Sequence, residues 1–366
     1  MADYRSQADA LDAEILRAIA HWSNTSSRDL DFNTPALRIF EHQLRYNEPY
    51  ARYCAWLGIT PDALPSRWEN IPPVPAAAFK EAALCTFDPQ RAELTFETSG
   101  TTAGSGGVHY MERAAVYDAA LLAGFRNAML RDNAVLRYLQ LVPNPVERPR
   151  SSLGYMMARV AQAFGDGHER WYIQADELNV EAFLADVRGC IAEGIAVCLA
   201  GTAFGFVQLV DALAQRGLVH LPLPAGSRIM ETGGFKGRTR VVGRGELYRS
   251  LADQFGVAQQ CIVAEYGMTE LTSQYYDATF GEVRIKRSPP WLRSRVVNAT
   301  GETVAPGIVG ALVHVDLANR SSCIAVQTED LGIAADDGII LLGREQGAQL
   351  RGCSLDAEEL RALARA

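Results

Sequence analysis

A segment rich in glycine and hydroxyl residues, residues 98–107 (TSGTTAGSGG), has the composition that most directly suggests chemistry. It lies between a predicted strand and Val108, His109 and Tyr110. Glycines allow the backbone to approach a ligand closely, and several N–H and hydroxyl groups can point at one anion, so the segment suits a phosphate-binding loop. It is not a Walker A loop, because no Gly-Lys-Ser/Thr closes it, and its glycine spacing differs from that of a Rossmann fingerprint. From the residues alone, a phosphate loop and a flexible surface loop are equally good interpretations.

Two further segments carry groups that could contact a nucleotide or a metal ion. They are residues 266–270 (YGMTE) and residues 328–332 (TEDLG), the latter followed by Asp337-Gly338 and Gly343-Arg344. Each key residue also has an ordinary structural interpretation: Tyr266 could end a strand, Glu270 could lie exposed on a helix, and Asp330 could cap a turn.

The bulk properties restrict the classes of protein that fit. The chain has 366 residues and a formal net charge of -8, which argues against nucleic acid as a main partner. Its start is amphipathic and mixed in charge, and no apolar run of about 18 residues occurs, so neither a signal peptide nor a membrane-spanning helix is expected. Seven cysteines without a C-x-x-C pair fit reduced thiols in a cytosol. We therefore expect a cytoplasmic protein with no membrane partner.

The hydrophobic periodicity predicts the elements that position these segments. The first 90 residues are predicted to be mainly helical, with helical spacing over 9–21 and 35–57 and an extended proline-rich run at 71–75. Beyond them, short strands are predicted at 94–97, 196–201 and 260–264, and helices at 111–131, 204–216, 243–255 and 356–366. This alternation is typical of a largely parallel α/β sheet covered on both faces, and from about residue 282 the pattern becomes rich in strands.

The three segments, taken together and in order, resemble the adenylate-forming superfamily of acyl-CoA synthetases, peptide-synthetase adenylation domains and luciferases. Residues 98–107 resemble its phosphate loop, residues 266–270 its Tyr-Gly-x-Thr-Glu segment, and residues 328–344 its Asp-Leu-Gly…Asp-Gly…Gly-Arg segment. Within this superfamily the chain is most similar to the compact acyl-protein synthetases of the LuxE type. The N-terminal similarity lies in residues 32–33, 46–50, 71–75 and 79–80, and the C-terminal similarity in residues 351–355 (RGCSL).

The resemblance implies a role for individual side chains around ATP and Mg²⁺. Thr269 would contact the α-phosphate, Glu270 would hold Mg²⁺, and Asp330 would bind the ribose hydroxyls with help from Arg344. The β- and γ-phosphates are assigned to the phosphate loop, namely Thr98, Ser99, Gly100, Thr101, Thr102 and Gly104. The adenine side is assigned to Gly233, Gly234, Tyr266 and Gly267.

The resemblance also implies that the small residues after a predicted strand help to form the acyl pocket. These are Ala200, Gly201 and Thr202, followed by Phe204. Packing at the start of a helix is an equally good interpretation of this segment.

One departure from the superfamily concerns a catalytic lysine. Most adenylate-forming enzymes carry a C-terminal domain whose lysine contacts the reacting carboxylate and the α-phosphate, whereas here no lysine follows Lys286. Lys236 is a candidate substitute, although a solvated loop lysine is the more usual interpretation. His109 is a second candidate for contact with phosphate or carboxylate, and a structural role is equally consistent with its position.

Cys353 bears on the choice of acyl acceptor. In the LuxE-type family a cysteine near the C-terminus accepts the acyl group from acyl-AMP and passes it to a partner reductase. Cys353 would act as a thiolate whose pKa is lowered by the neighbouring Arg351, and an unreactive thiol is the alternative. The other six cysteines are interpreted as packing residues.

We therefore expect an α/β fold with a helical N-terminal region over 1–90, an adenylate-forming core over 91–343, a C-terminal segment over 344–366 and no separate mobile C-terminal domain. The expected function is Mg·ATP-dependent adenylation of a fatty or aromatic acid, then transfer of the acyl group to Cys353 or a partner thiol for a downstream reductase. One alternative is activation of a phenazine-type aromatic acid with transfer to coenzyme A or a carrier protein. The other is a nucleotide-binding partner subunit without catalytic activity.

Overall fold

The computed structural model describes residues 2–98, 106–233, 243–281, 283–336 and 338–344. The chain forms two compact units, of which the first comprises residues 1–123, 268–274 and 285–366 and the second residues 124–267 and 275–284. The division falls inside the 266–270 segment, so that Tyr266 belongs to the second unit and Thr269 to the first. Each unit has its own hydrophobic core.

The described residues contain α-helices, β-strands and short 3-10 turns. The helices are α1 (Ala2–Thr25), α2 (Asn33–Tyr46), α3 (Glu48–Trp56), α4 (Ala114–Met129), α5 (Ser152–Phe164), α6 (Val180–Glu193), α7 (Ala203–Gln215) and α8 (Arg244–Phe255). The strands are β1 (Val74–Pro75), β2 (Leu94–Glu97), β3 (Val108–Met111), β4 (Arg137–Pro143), β5 (Arg170–Gln174), β6 (Glu177–Leu178), β7 (Val197–Thr202), β8 (Arg228–Thr232), β9 (Ile262–Tyr266), β10 (Tyr275–Asp277), β11 (Ile285–Arg287), β12 (Leu292–Val297), β13 (Val309–Asp316), β14 (Ala325–Ala335) and β15 (Gly338–Arg344). The 3-10 turns are Trp68–Asn70, Ala76–Lys80, Pro89–Arg91, Gln259–Cys261 and Leu317–Asn319.

The first unit packs the N-terminal helices against an antiparallel sheet. Its strands lie in the order β12-β13-β14-β15-β11, with β1 added in parallel to β14 and with β2 and β3 forming a separate antiparallel pair. The apolar faces of α1, α2 and α3 share one core with the buried ends of β13 and β14. The rings of Trp22 and Trp291, for example, meet edge to face at 5.3 Å.

The second unit is a sheet of mainly parallel strands with helices α5 to α8. The order is β10-β9-β8-β7-β4-β5-β6, in which β9, β8, β7, β4 and β5 are parallel and the two edge strands are antiparallel. The central strands are buried along almost their whole length, as expected for a parallel sheet whose two faces are both covered. The predicted parallel α/β arrangement is therefore confirmed in this unit.

Most predicted elements agree with the structure, and several boundaries differ. The strand predicted at 94–97 and the helices predicted at 204–216 and 243–255 correspond to β2, α7 and α8. The helical stretch predicted at 35–57 is two helices, because the Asn47 side chain accepts a hydrogen bond from Tyr50 N and starts α3. The helix predicted to begin at residue 111 begins at Ala114, because Met111 pairs with Leu94 between β3 and β2. The helix predicted at 356–366 lies outside the described residues.

No helix in the described part of the chain is both long and apolar enough to cross a membrane. The division into regions 1–90, 91–343 and 344–366 stays a prediction.

Candidate active site

Thr98 and Gly107, both in the first unit, close the base of the predicted phosphate loop. β2 ends at Glu97 opposite Val108, and Thr98 N then donates to the Gly107 carbonyl oxygen at 2.9 Å. Gly107 N donates in return to Thr98 Oγ1 at 2.7 Å. A Cβ at Gly106 would lie 2.4 Å from the Thr98 carbonyl oxygen, so a larger residue does not fit. The predicted phosphate ligands Ser99, Gly100, Thr101, Thr102 and Gly104 lie outside the described residues.

Buried side chains anchor the backbone of Thr269 and Glu270 in the same unit. His109 Nδ1 lies 2.8 Å from the Thr269 carbonyl oxygen, and Asn319 Nδ2 donates to the Glu270 carbonyl oxygen at 2.9 Å. His109 and Asn319 are each 1% exposed, the Glu270 residue is 7% exposed, and Thr269 is half-buried. Both carbonyl groups of the dipeptide assigned to the α-phosphate and Mg²⁺ are therefore fixed.

His109 is held as a neutral ring. A carbonyl oxygen only accepts hydrogen bonds, so Nδ1 must carry the hydrogen, and Nε2 has no partner among the described residues. The Phe79 ring packs edge-on at 5.6 Å. Burial lowers the pKa of His109 to about 4, although the hydrogen bond to Thr269 acts in the opposite direction. Contact of His109 with phosphate or carboxylate stays a prediction.

The turn at the end of β13 anchors the residues that follow Glu270. Asp316 accepts hydrogen bonds from Ser273 N at 2.8 Å, from Ser273 Oγ at 2.9 Å and from Thr272 N at 3.2 Å. Asn319 Oδ1 also accepts from Thr272 N, at 2.8 Å. Burial raises the pKa of Asp316 to about 6, against the opposing effect of these hydrogen bonds. The roles of Asp316 and Asn319 are not evident from the sequence, because a polar Asp-x-x-Asn after an apolar strand also indicates an ordinary surface turn.

The antiparallel pairing of β14 with β15 places the two predicted ribose ligands opposite each other. Asp330 on β14 is the partner of Arg344 on β15. Asp330 is half-buried, and its backbone N–H donates to Thr328 Oγ1 at 3.0 Å. The structure thus brings together the backbones of Asp330 and Arg344. Their contact with a ribose stays a prediction.

In the second unit, Gly233 lies at the end of β8 on the side predicted to receive adenine. Its φ is +77°, and a Cβ at this position would meet no atom of the described residues within 4 Å. The preceding Thr232 hydroxyl donates to Glu265 Oε2, which joins the ends of β8 and β9. The described residues therefore leave space open beside the backbone of Gly233. Gly234 and Lys236 lie outside the described residues.

Tyr266 ends β9 in the second unit. Its side chain is mostly buried, and its ring centroid lies 5.6 Å from that of Tyr275 at an interplanar angle of 44°. Gly267, the next residue, is exposed. Stacking of Tyr266 near adenine stays a prediction.

The segment predicted to line the acyl pocket has clear packing contacts. Ala200 is buried in β7, and a Cβ at Gly201 would lie 2.7 Å from Leu141 Cβ on the neighbouring strand. Thr202 Oγ1 accepts from Gly205 N at 3.0 Å and caps α7. Phe204 is half-buried. These contacts favour the packing interpretation for Ala200, Gly201 and Thr202, and a role in an acid pocket stays a prediction.

Five of the six cysteines in the described residues are poorly suited to nucleophilic attack. Five are buried, and burial raises their pKa: Cys54 to about 12, Cys85 to about 11, Cys190 upward, Cys198 to about 12 and Cys323 well above its ordinary value. Cys261 is half-buried. Cys353 lies outside the described residues. The interpretation of the buried five as packing residues agrees with their environment.

Two of the three lysines lie in the described residues. Lys80 is exposed at the end of a 3-10 turn, whereas Lys286 on β11 is 1% exposed. The burial of Lys286 is not evident from its sequence, in which Arg284 and Arg287 lie on either side of it. The described residues contain no group of three or more His, Cys, Asp or Glu side chains arranged to hold a metal ion.

A sequence model of the family described as "Acyl-protein synthetase, LuxE" matches residues 7–360 of the chain. A similar curated protein is the long-chain-fatty-acid–luciferin-component ligase of Vibrio harveyi. It is 21% identical over 335 residues, which cover 87% of this chain and 85% of the relative.

Solved structures of ligases show a similar fold. A 2-hydroxyisobutyryl-CoA ligase in complex with 2-HIB-AMP and CoA superposes with a TM-score of 0.63 at 15% identity, covering 85% of this chain and 66% of the ligase. ATP-bound MatB from Rhodopseudomonas palustris superposes with a TM-score of 0.51 at 15% identity, covering 80% of this chain and 56% of MatB. The chain thus spans about two thirds or less of the length of these two ligases.

Proposed function

The chain belongs to the LuxE acyl-protein synthetase family, a family of ATP-dependent, acyl-adenylate-forming ligases, and we propose that it activates a fatty or aromatic carboxylic acid as acyl-AMP and transfers the acyl group to Cys353. Family membership confirms the resemblance drawn from the three sequence segments. The anchored Thr269–Glu270 dipeptide is the structural observation that carries the proposal for this chain.

The first half-reaction joins two anions. A carboxylate oxygen of the acid attacks the α-phosphorus of ATP, the bond from that phosphorus to the bridging oxygen breaks, and pyrophosphate leaves with the electron pair. Both reactants are negatively charged, so the site must neutralise charge and hold an in-line geometry. Thr269 would contact the α-phosphate, and the loop that starts at Thr98 would hold the other two phosphates.

Mg²⁺ would shield the phosphate charge, and the carboxylate of Glu270 is a hard oxygen ligand suited to it. The Glu270 residue is 7% exposed on a backbone fixed from two sides, which limits the number of orientations that its carboxylate can adopt. On the nucleoside side, the space that the described residues leave open beside Gly233 is compatible with a flat adenine ring, and Gly234 and Tyr266 are proposed to contact that ring. Asp330 and Arg344, opposite each other on β14 and β15, would bind the ribose.

In the second half-reaction, the thiolate of Cys353 would attack the acyl carbon, the bond from that carbon to the phosphate oxygen would break, and AMP would leave. A thioester would form on the protein. Two observations support Cys353 as the acceptor. The family match extends past it to residue 360, and burial raises the pKa of five of the other six thiols. A downstream reductase or carrier protein would then consume the thioester.

ATP–pyrophosphate exchange tests the proposal. We expect exchange that depends on Mg²⁺ and on one acid class within a panel of fatty, aryl and phenazine acids. The variant C353S should retain exchange, because adenylation precedes the thiol step, and it should lose the hydroxylamine-sensitive acyl label on the protein. C261A, which removes the half-buried thiol, should retain both.

Each contrary result has a definite meaning. Full acyl labelling of C353S would exclude Cys353 as the acceptor. Release of acyl-CoA with no labelled protein would favour the coenzyme A alternative. Binding of ATP without exchange for any acid would favour a nucleotide-binding partner subunit over an enzyme.

A further inference from the structure

His109 connects the strand after the phosphate loop to the Thr269–Glu270 dipeptide. It is the second residue of β3, and its Nδ1 lies 2.8 Å from the Thr269 carbonyl oxygen, 160 residues further along the chain. The adjacent carbonyl, that of Glu270, receives its hydrogen bond from Asn319. All four residues belong to the first unit. None of the steps proposed above uses the His109 side chain.

The surroundings of His109 determine which chemical form of the ring is present. The Thr269 oxygen offers no hydrogen, so Nδ1 donates and Nε2 carries the lone pair. Nε2 is buried and has no hydrogen-bond partner among the described residues, while the edge-on Phe79 ring contributes apolar surface. A second proton would place a charge in this environment, which burial disfavours. A neutral ring of this tautomer has no hydrogen on Nε2 to offer to an anion.

We propose that His109 is a positioning residue, whose Nδ1–H holds the Thr269 carbonyl and thereby sets the orientation of the Thr269 and Glu270 side chains toward Mg·ATP. The proposal deepens the proposed function and rests on it. It replaces a direct contact between His109 and phosphate or carboxylate, because that contact would require a hydrogen on Nε2. It also gives the strand after the phosphate loop a direct hydrogen bond to the metal-binding segment.

Two amide substitutions separate the two roles. In H109N the side-chain Nδ2 takes the place of His Nδ1 and can donate to the Thr269 carbonyl, whereas in H109Q the amide reaches the place of His Nε2. H109L removes both. We expect H109N to keep the Mg²⁺ concentration for half-maximal exchange within about threefold of wild type. We expect H109Q and H109L to raise it, or to lower kcat, by roughly 10- to 100-fold, as is typical when an orienting partner of a metal ligand is lost.

The reverse order would overturn the proposal. A ligand role through Nε2 predicts that H109Q is active and that H109N is impaired. Equal activity of H109L and wild type would remove both roles. The unfolding midpoint of each variant shows whether a loss of exchange reflects loss of the fold. If one amide variant has a lower unfolding midpoint than wild type, the comparison with wild type uses the other amide variant.

A second measurement does not depend on catalysis. In protein labelled with ¹⁵N at its six histidines, a long-range ¹H–¹⁵N correlation reports which ring nitrogen carries hydrogen. The pattern that is absent from H109N belongs to His109, and we expect it to show hydrogen on Nδ1 and a bare Nε2 in the protein without ligand. Hydrogen on Nε2 would overturn the proposal.

Failure of the proposed function can be told apart from failure of this inference. If wild type shows no exchange with any acid, the adenylation proposal fails, and Mg·ATP affinity measured by calorimetry replaces exchange as the readout. An affinity for Mg·ATP that is highest in wild type, lower in H109N and lowest in H109Q supports the positioning role. Equal affinity of H109N and H109Q overturns it.

Discussion

At the scale of a residue, buried charge occurs in this protein where several partners surround it. Arg320 is 2% exposed, and its guanidinium donates to both carboxylate oxygens of Asp12 at 2.8 and 2.9 Å and to Glu112 Oε2 at 2.8 Å. The Tyr4 hydroxyl donates to the same Glu112 oxygen at 2.7 Å. The cluster joins α1, the end of β3 and the turn after β13. Removal of Arg320 takes away the closest cation from two buried carboxylates, so it should lower the stability far more than the loss of a surface ion pair does.

The variant R320M tests this expectation. It leaves the carboxylates of Asp12 and Glu112 buried with only their longer ion pairs, to Arg113 at 3.7 Å and to Arg91 at 3.9 Å, so we expect the free energy of unfolding to fall by about 3–5 kcal/mol. The matched control R216M breaks the exposed pair of Arg216 with Glu181, which are 3.0 Å apart, and should change stability by less than about 1 kcal/mol. Urea unfolding at neutral pH measures both. Similar losses in the two variants would show that the buried cluster contributes little.

At the scale of an element, the 3-10 turn Leu317–Asn319 holds the segment that follows β9. Asn319 uses its whole amide: Nδ2 donates to the carbonyl oxygens of Glu270 at 2.9 Å and Cys323 at 3.0 Å, and Oδ1 accepts from Thr272 N. Gln43 on α2 in turn donates to the carbonyl oxygen of Asn319 at 2.9 Å. The turn therefore connects an N-terminal helix to the proposed metal-binding segment through hydrogen bonds, while its Leu317 and Ala318 side chains pack in the core that the N-terminal helices share.

The variant N319L should loosen this connection. Leucine is similar in size to asparagine but leaves the Glu270 and Cys323 carbonyl groups unpaired, at a cost of about 1–3 kcal/mol for each. We expect a lower unfolding midpoint in urea and faster amide hydrogen exchange at Thr272. The control N24L changes an exposed asparagine of α1 and should leave both measurements near those of wild type. Unchanged exchange at Thr272 in N319L would contradict the proposed role of the turn.

At the scale of the whole molecule, the sequence predicts what depends on local pattern and misses what depends on distant contacts. Hydrophobic periodicity predicts β2, α7 and α8, and the resemblance identifies the three segments that are proposed to bind the nucleotide. The helical spacing over 35–57 does not show the break between α2 and α3, whereas the pattern Asn47-Glu48-Pro49 is a local sign of a new helix start. The contacts of His109 and Asn319 with residues 269–272 join positions 47 to 160 residues apart, and no local pattern encodes them.

The same limit applies to burial of ionisable groups. Three of the six histidines, His42, His109 and His314, are buried in the first unit, and the other three are exposed. Nothing in their immediate sequence separates the two groups. Burial lowers the pKa of His42 and His109 to about 4 and that of His314 to about 3. The positive charge of Arg320 also lowers the pKa of His42. This burial pattern makes the stability of the whole fold dependent on pH.

The sign follows from proton binding in the two states. Each buried histidine has a pKa below its ordinary 6.5, so the unfolded chain takes up its proton first and stability falls as the pH drops from about 6.5. Asp316 acts in the opposite direction, since its pKa is raised from 3.8 to about 6 and the folded state takes up that proton first. Near pH 5 these four groups together bind about two more protons in the unfolded state than in the folded state. The free energy of unfolding should therefore change by roughly 3 kcal/mol per pH unit.

We therefore expect the free energy of unfolding of wild type to fall steeply between pH 6.5 and pH 5. In H314N the slope of this fall should be smaller by about 1.4 kcal/mol per pH unit, because the variant has one proton fewer in the difference between the unfolded and folded states. Asparagine suits this test because its amide can replace Nδ1 of His314, which lies 2.9 Å from Ser294 Oγ. The exposed H168N serves as the control. Because slopes rather than absolute stabilities are compared, a general destabilisation of H314N does not obscure the result. Equal slopes in H314N and wild type would mean that His314 is protonated in the folded state at pH 5, and its buried position on β13 would then need a negatively charged partner.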